Sequence, residues 1–453
     1  MGIIKDVIQS IDIQAEDQEI REFIKKHKPA INEFFKEKWT MFKQEQLFDM
    51  QLKGKQIKIP NGKEGKEYAA DFNLDSIGLS GVNSFELENL PEGISYSKEE
   101  GVIAGVPKVA GDHKLILRCV SKQGFKAEKE LLFIVVSDPK KIWKNIPTSP
   151  DIVYYKPDSD SKFQKGEAQN TDAQKNMIAA SQRGRSHAHV GDPRDDDFAL
   201  YFDAKTAWYI MAVADGAGSA KYARKGSEIA CQTALDVCKN QLAEVGGLLE
   251  EQIKLYWDKK NEERKDAYEF LHQIVGKAAF ESYKEICREA GKACLPKDFA
   301  TTLILSICKK FDFGWFVGAF WVGDGGIGIY HKEKQELKIL GEPDGGEFAG
   351  QTRFLTMKEI FSDRVRTRFE IVGDFTALVL MTDGVTDPKF ETDANLNKIE
   401  KWNDLWNDFN GKNEDNQKVD FNDCNEQTAE QLLKWLDFWS RGNHDDRTIA
   451  ILY

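Results

Sequence analysis

Apolar positions change their rhythm three times along this chain of 453 residues. Up to about residue 50, Ile20, Phe23, Ile24, Ile31, Phe34, Phe35, Trp39 and Phe42 recur at spacings of three, four and seven, with charges between them. That period predicts helix. Pro29 falls inside the run and predicts a kink or the start of a second helix, because proline lacks the amide a helix interior uses. The expectation for residues 1–50 is a small docking helix pair. From 51 to 138 the runs shorten to QIKIP, LPEGISYS, GVIAGVP, HKLILRCV and ELLFIVV, punctuated by Gly, Asn and Pro. This spacing predicts a small all-β sandwich. Residues 139–175 carry four prolines and the run KPDSDSKFQKGEAQNTDAQ with no apolar period, which predicts a linker.

From Asn176 to residue 453 the pattern is α+β. Strand-like runs appear at MIAASQ, FALYF, AWYIMAVAD, TTLILSIC, WFVGAFWVGD, IGIYH, ELKIL and ALVLMTD. Helical stretches run from Tyr222 to Leu248 and from Leu249 to Ala290, a Trp-rich helical segment runs from Lys398 to Arg441, and RTIAILY reads as a final strand.

Composition changes the picture only by exclusion. A formal net charge of −12 argues against generic binding to nucleic-acid phosphates, so no nucleic-acid partner is expected. The longest apolar run, Phe313–Gly323, falls short of the roughly 20 residues of a membrane helix. The start, MGIIKDVIQSID, is charged too early for a secretory core, and Asp6 stands where myristoylation wants Ser or Thr. A cytoplasmic protein with no membrane partner is expected. None of the seven cysteines forms a CxxC pair, which argues against zinc and for reduced structural thiols.

Acids gather where strand-like runs begin or end. Asp195, Asp196 and Asp197 precede FALYF, Asp215-Gly216 follows AWYIMAVA, and Asp324 follows WFVGAFWVG. Asp383-Gly384 follows ALVLMT with Asp387 four residues on, and Asp445 and Asp446 enter the last strand. A sheet converges such carboxylates from distant sequence onto one point. Alone they repel, and burial penalises each charge. Mn²⁺ or Mg²⁺ relieves both, and both ions take hard oxygen ligands. Glycine after Asp215 and Asp383 permits a tight turn with a carbonyl facing the ion. Gly323, Gly325 and Gly328 satisfy G-x-G-x-x-G, but a hairpin pattern follows where a dinucleotide site needs a helix. Neither VADGA nor MTDGV supplies the DxD of a HAD-type phosphatase, and no basic stripe supports a two-metal nuclease. There is no CxxxxxR loop and no GxSxG elbow.

The motif order resembles the PP2C or PPM family of metal-dependent serine/threonine protein phosphatases. RDDDFA, DGAGSA, ATTLILS, VGDGGIGIY, MTDGVTD and HDDRTIAIL stand, in order across residues 176–453, where that family has its acidic motif I, its DGxxG, its GTTA-like strand, its GDSR-like motif, its [ST]DG-[LV]-x-D and its terminal D-[ND]-x-[ST] strand. GRSHAHVGDPRDD and GEFAGQTRFLT are similar to stretches of a bacterial branch, which suggests bacterial signalling. The resemblance implies a four-layer α-β-β-α sandwich, and hydrolysis of phosphoserine and phosphothreonine by a metal-activated water at a binuclear Mn²⁺ or Mg²⁺ centre. It implies phosphoprotein substrates and a cognate Ser/Thr kinase as partner. Asp215 would bridge two metals, with the Gly216 carbonyl on one; Asp383 and Asp445 would hold one metal, with Asp196 in the same cluster. Asp195 would act through water, and Asp324 and Asp387 match a third, weaker site. In the β segment, Leu90–Ile94, Gly101–Pro107 and Ala110–His113 resemble a bacterial Ig-like module, which implies binding or spacing.

Two positions depart from the family. Ala217 stands where many members have a histidine that is a candidate general acid, which leaves His187 or His189 as candidates for a proton role. Gly191 stands where eukaryotic members have a phosphate-binding arginine, and Arg185 and Arg194 are the nearest substitutes. The competing reading is a pseudophosphatase acting as a binding module. Retention of every main metal-binding Asp argues against it, since an unused acidic cluster only costs stability.

Overall fold

The computed structural model describes residues 6–7, 10–11, 13–138, 141, 143–167, 175–259, 264–344, 352–362, 364–440 and 442–453. The chain divides into two compact units, Met1–Ile142 and Trp143–Tyr453.

In the first unit, helix α1 (Asp17–Gly54) opens on a reciprocal capping box between Glu16 and Glu19. Asp17 and Glu19 complement the positive end of its dipole, and Lys53 the negative end. It is one helix where the sequence predicts a pair, and Pro29 lies inside it. Pro29 is exposed, and its missing amide removes one hydrogen bond from the helix interior. Phe48 and Leu52, near the helix end, enter an apolar core, while Phe23, Phe34, Phe35, Trp39 and Phe42 are exposed.

That core lies between two small sheets. Strands β1 (Gly62–Lys63), β2 (Tyr68–Asp71), β3 (Val82–Glu88), β4 (Ile94–Ser97), β5 (Val102–Gly105), β6 (Gly111–Ser121) and β7 (Lys126–Val136) pair in the orders β1-β7-β6-β3 and β2-β5-β4, and a short helix α2 (Leu74–Ile77) follows β2. Leu115, Leu117 and Cys119 are buried at alternate positions of β6, as a half-buried strand requires. Gly105 lies against Gly93 with φ of 136°, and a Cβ there would overlap the Gly93 carbonyl. The glycines of LPEGI and GVIAGVP thus allow two backbones to touch.

The second unit holds two antiparallel sheets. One has five strands, β10 (Asp197–Phe202), β11 (Tyr209–Ala214), β12 (Leu303–Phe311), β13 (Gly314–Val322) and β16 (Thr367–Val372), in that order. The other runs β15 (Glu336–Gly341), β14 (Gly326–His331), β17 (Ala377–Met381), β18 (Arg447–Leu452), β9 (Met177–Gln182) and β8 (Ser159–Gln164). Met211, Val213 and Val317 share one core with Leu378, Leu380 and Ala450, so the sheets meet face to face. Helices α4 (Ala223–Lys259) and α5 (Arg264–Ala290) pack Ala230, Leu271 and Ile274 against Leu305 and Phe316 of the five-stranded sheet. Trp402 of α7 (Ile399–Phe409) and Trp435 of α8 (Thr428–Leu436) pack against Val379 and Ile451 of the other. Every residue of β13 is buried, which explains its unbroken apolar run.

Three sequence readings shift. The break between the long helices falls after Lys259, not at Leu248, because Leu249 and Ile253 still face the core. Part of the segment read as linker is the edge strand β8, whose SDSKFQ alternates half-buried and exposed positions and so lacks an apolar run. Strand β16 went unread for the same reason, since TRFEIV is only half buried. Residues 168–174 of the linker reading and 346–351 of GEFAGQTRFLT lie outside the described residues.

Candidate active site

The strand-end acids converge at one end of the two sheets. Asp215 leaves β11, Asp324 leaves β13, and Asp383 opens helix α6 (Asp383–Phe390) after β17. One carboxylate oxygen from each of these three lies within 4.8 Å of the others. Asp196 joins them from the turn before β10: its Oδ2 accepts the Thr382 hydroxyl at 3.0 Å, and its carboxyl contacts that of Asp215. Asp445 and Asp446 precede β18 and form a second group with His187 of α3 (Arg185–Val190). Asp387 lies one turn beyond Asp383, with Asn443 donating to its Oδ2 at 3.4 Å. Thr352 donates to Asp324.

Hydroxyls and amides fix these positions. The Asp215 amide donates to Thr302 Oγ1 at 2.8 Å, and the Thr301 hydroxyl and Thr302 amide donate to the Asp215 carbonyl. Thr448 donates its amide to Thr382 Oγ1 at 3.0 Å, and its hydroxyl contacts Ser181 at 2.6 Å. Gly384 abuts the Asp446 carbonyl so closely that any Cβ would overlap it. We expect Gly384→Ala to lose about 2 kcal/mol of stability, because the Asp445–Asp446 segment ahead of β18 must move. Mn²⁺ affinity should fall with it. Chemical denaturation and calorimetry check this, and wild-type values in both would count against it.

Charge is poorly accommodated by protein alone. Burial, with the charge of Asp446, raises the Asp196 pKa to about 7 and that of Asp195 to about 6. Asp215 and Asp383 are pushed well above the usual carboxylate range, by burial first and then by neighbouring acids. Asp445 and Asp387 move the same way for the same reasons. Among the described residues, Oδ1 of Asp195, Asp196, Asp324 and Asp383 is buried without a hydrogen-bond donor. Buried acceptors are seldom left so. Like-charged carboxylates with orphaned oxygens fit a hard divalent cation.

Asp446 differs from its neighbours. It accepts the Gly184 amide at 2.6 Å, the Asp195 amide at 2.5 Å and the His187 ring at 3.0 Å. Burial opposes its charge, but these donors hold its pKa below the usual value. Burial likewise opposes charge on His187, yet the hydrogen bond and charge of Asp446 raise its pKa to about 10. His187 and Asp446 thus form a hydrogen-bonded pair shielded from solvent. His189 contacts Trp143 and accepts the Lys144 amide at 3.1 Å.

Of the arginines weighed from sequence, Arg185 holds the Asp437 and Phe438 carbonyls and the Asp437 carboxylate, with its guanidinium 5.6 Å from the Trp439 ring. Three of its five N–H donors thus go to the segment after α8. Arg194 is 2% exposed, bonds Pro157 at 3.3 Å, and its Nη1 has no partner among the described residues. Sequence reasoning missed the tying role of Asp446 and the threonine clamp on Asp215. The adjacent acids in HDDRT and the two threonines in FATTL are the signals that mark them.

The chain belongs to the protein phosphatase 2C family, whose family model matches residues 183–437. Its second unit is a PP2C-type protein phosphatase domain. Among solved structures, the serine/threonine phosphatase Stp1 of Staphylococcus aureus is similar at 13% identity, covering 67% of this chain and 98% of its own, with a TM-score of 0.34. A serine-threonine phosphatase 2C of Toxoplasma gondii is similar at 11% identity, covering 65% and 98%, with a TM-score of 0.41. PppA, a regulatory component of the type VI secretion system of Pseudomonas aeruginosa, is similar at 12% identity, covering 66% and 98%, with a TM-score of 0.34. No curated protein sequence matches the chain.

Proposed function

We propose that the chain hydrolyses phosphoserine and phosphothreonine in proteins at a binuclear Mn²⁺ or Mg²⁺ centre. The observation that carries this is the convergence of Asp196, Asp215, Asp324 and Asp383, three of them with an orphaned buried oxygen, in a PP2C-family chain. Asp196, Asp215, Asp383 and Asp445, with the Gly216 carbonyl, would hold the two ions; Asp195 would act through water, and Asp324 with Asp387 would hold a third. Bound ions supply Lewis acidity that activates water and screens the phosphate. The chain's own part is to aim the carboxylates. Thr382 orients Asp196, Thr301 and Thr302 fix the Asp215 turn, and Asp446 braces the Asp195 and Gly184 backbones. His187 holds Asp446 at 3.0 Å beside Asp445 and so braces the acid pair that precedes β18.

The two facing sheets with helices on both outer faces support the four-layer α-β-β-α reading. The catalytic domain on this reading takes in the second unit from Trp143 onward, including the edge strand β8, and follows in sequence a helical segment near 1–50 and an Ig-like domain near 51–138. The exposed aromatic face of α1 supports a docking or substrate-selecting role for this front end, with a kinase or phosphoprotein as partner. Among the described residues no helix is long and apolar enough to cross a membrane.

The test is hydrolysis of an aryl phosphate and a phosphothreonine peptide with Mn²⁺, with Mg²⁺ and with chelator. Metal-dependent turnover on both is expected. Absence of turnover together with absence of Mn²⁺ binding favours the pseudophosphatase that Ala217 suggests. Removing residues 1–138 should leave aryl phosphate turnover within about twofold while changing the choice among phosphoproteins. Unchanged choice would argue against a selecting front end.

A further inference from the structure

Before the family-matched region, residues 143–158 pass close behind the acidic turn and are tied to it by buried polar contacts. Arg183 holds Thr148 at 2.6 Å, Asn145 at 2.8 Å and Asp158 at 3.0 Å. Arg224, at the head of α4, holds the Val153 and Tyr154 carbonyls and stands 3.8 Å from the Asp195 carboxylate.

The centre of this arrangement is Lys156, 7% exposed. Its Nζ lies 2.9 Å from the Asp197 carboxylate, 3.0 Å from the Asp196 main-chain carbonyl and 3.2 Å from Ser227 Oγ. Ser227 in turn donates to the Asp195 main-chain carbonyl. Each residue of the Asp195–Asp197 turn is therefore held from behind, by Lys156 directly or through Ser227. On its other side Asp196 offers Oδ2 to Thr382 and leaves Oδ1 without a donor.

We propose that Lys156 is a positioning residue for metal binding, which fixes the Asp196 peptide and so aims its carboxylate. This rests on the metal-centre reading above. Two physical effects carry it. Three acceptors match the three N–H donors of an ammonium, so Lys156 locks the turn and has no donor left for substrate. Its charge also offsets repulsion among Asp195, Asp196 and Asp197, which lowers the cost of holding carboxylates ionised for a cation. Partners that orient metal ligands commonly contribute 10- to 100-fold in affinity.

The test uses the full chain and Mn²⁺ calorimetry at pH 7.5, with aryl phosphate turnover at saturating Mn²⁺. Lys156→Met should raise the Mn²⁺ dissociation constant about 10- to 100-fold. Turnover at saturating Mn²⁺ should fall less than about threefold, since Lys156 touches no reacting group. Lys156→Arg should recover part of the affinity, and Ser227→Ala should weaken it in the same direction. A folded Lys156→Met that binds Mn²⁺ within about twofold of wild type overturns the proposal. If Lys156→Met does not fold, unchanged Mn²⁺ binding by Ser227→Ala overturns it. Failure of the wild type itself to bind Mn²⁺ is a separate result, which removes the metal-centre reading together with this one.

Discussion

Asp383→Asn should abolish metal-dependent hydrolysis and, in chelator, make the protein more stable. Asp383 opens α6 with Oδ1 buried and unpaired, beside Asp215 and Asp324. Asparagine keeps the shape but replaces one acceptor by a donor and removes a charge. A cation then loses a ligand and part of the negative field that holds it. With several kcal/mol of transition-state stabilisation at stake, turnover of an aryl phosphate should fall roughly a thousandfold or more. The same change removes a like charge from a crowded buried cluster, so thermal stability in chelator should rise by about 1–2 kcal/mol. Paired assays of turnover with Mn²⁺ and of melting in chelator read both signs. Turnover above about a tenth of wild type would mean that Asp383 does not serve the chemistry.

That pairing separates what the sequence carries from what it hides. The acids were legible because each stands at the edge of an apolar run long enough to be read as a buried strand; ALVLM before Thr382-Asp383 is the plainest case. Once strands are recognised, their ends are candidate points of convergence. Half-buried edge strands lack that signal, so β8 and β16 escape. Lys156 was hidden for a related reason. It sits in a polar, proline-rich stretch, and it is buried against a helix residue 71 positions away in sequence. Asp446 shows another limit. Asp445 and Asp446 are chemically identical and adjacent, yet Asp446 accepts two backbone amides and a histidine, while Asp445 acts on Asp383 through its charge. Which of two neighbouring acids faces the site depends on the strand's direction at one residue, and pattern alone does not give it.

The acid cluster should also invert the ordinary pH dependence of stability, and Mn²⁺ should restore it. Asp196 and Asp195 have folded pKa values of about 7 and about 6, because burial and the charge of Asp446 disfavour ionisation. An unfolded aspartate titrates near 3.9, so between roughly pH 4 and 7 the folded chain binds more protons. Their contribution to stability is thus complete below about pH 4 and is lost as pH climbs through 6 and 7. Asp446 acts oppositely: its depressed pKa gives stability that is present above the unfolded value and lost in acid. His187, raised to about 10, adds to the slope of Asp195 and Asp196: its contribution is complete below the unfolded value near 6.5 and is lost as pH rises toward 10. In chelator the melting temperature should therefore peak in mild acid and fall by several degrees toward pH 8, as each buried acid is forced to ionise. Mn²⁺ needs the ionised form, so its stabilising increment should grow over the same interval. Melting curves at pH 5, 6, 7 and 8, with chelator and with Mn²⁺, measure both slopes. Asp196→Asn is the control, because it removes one titrating group and should flatten the chelator slope. A wild-type chelator slope that Asp196→Asn leaves unchanged would assign the pH dependence to the protein's general negative charge instead.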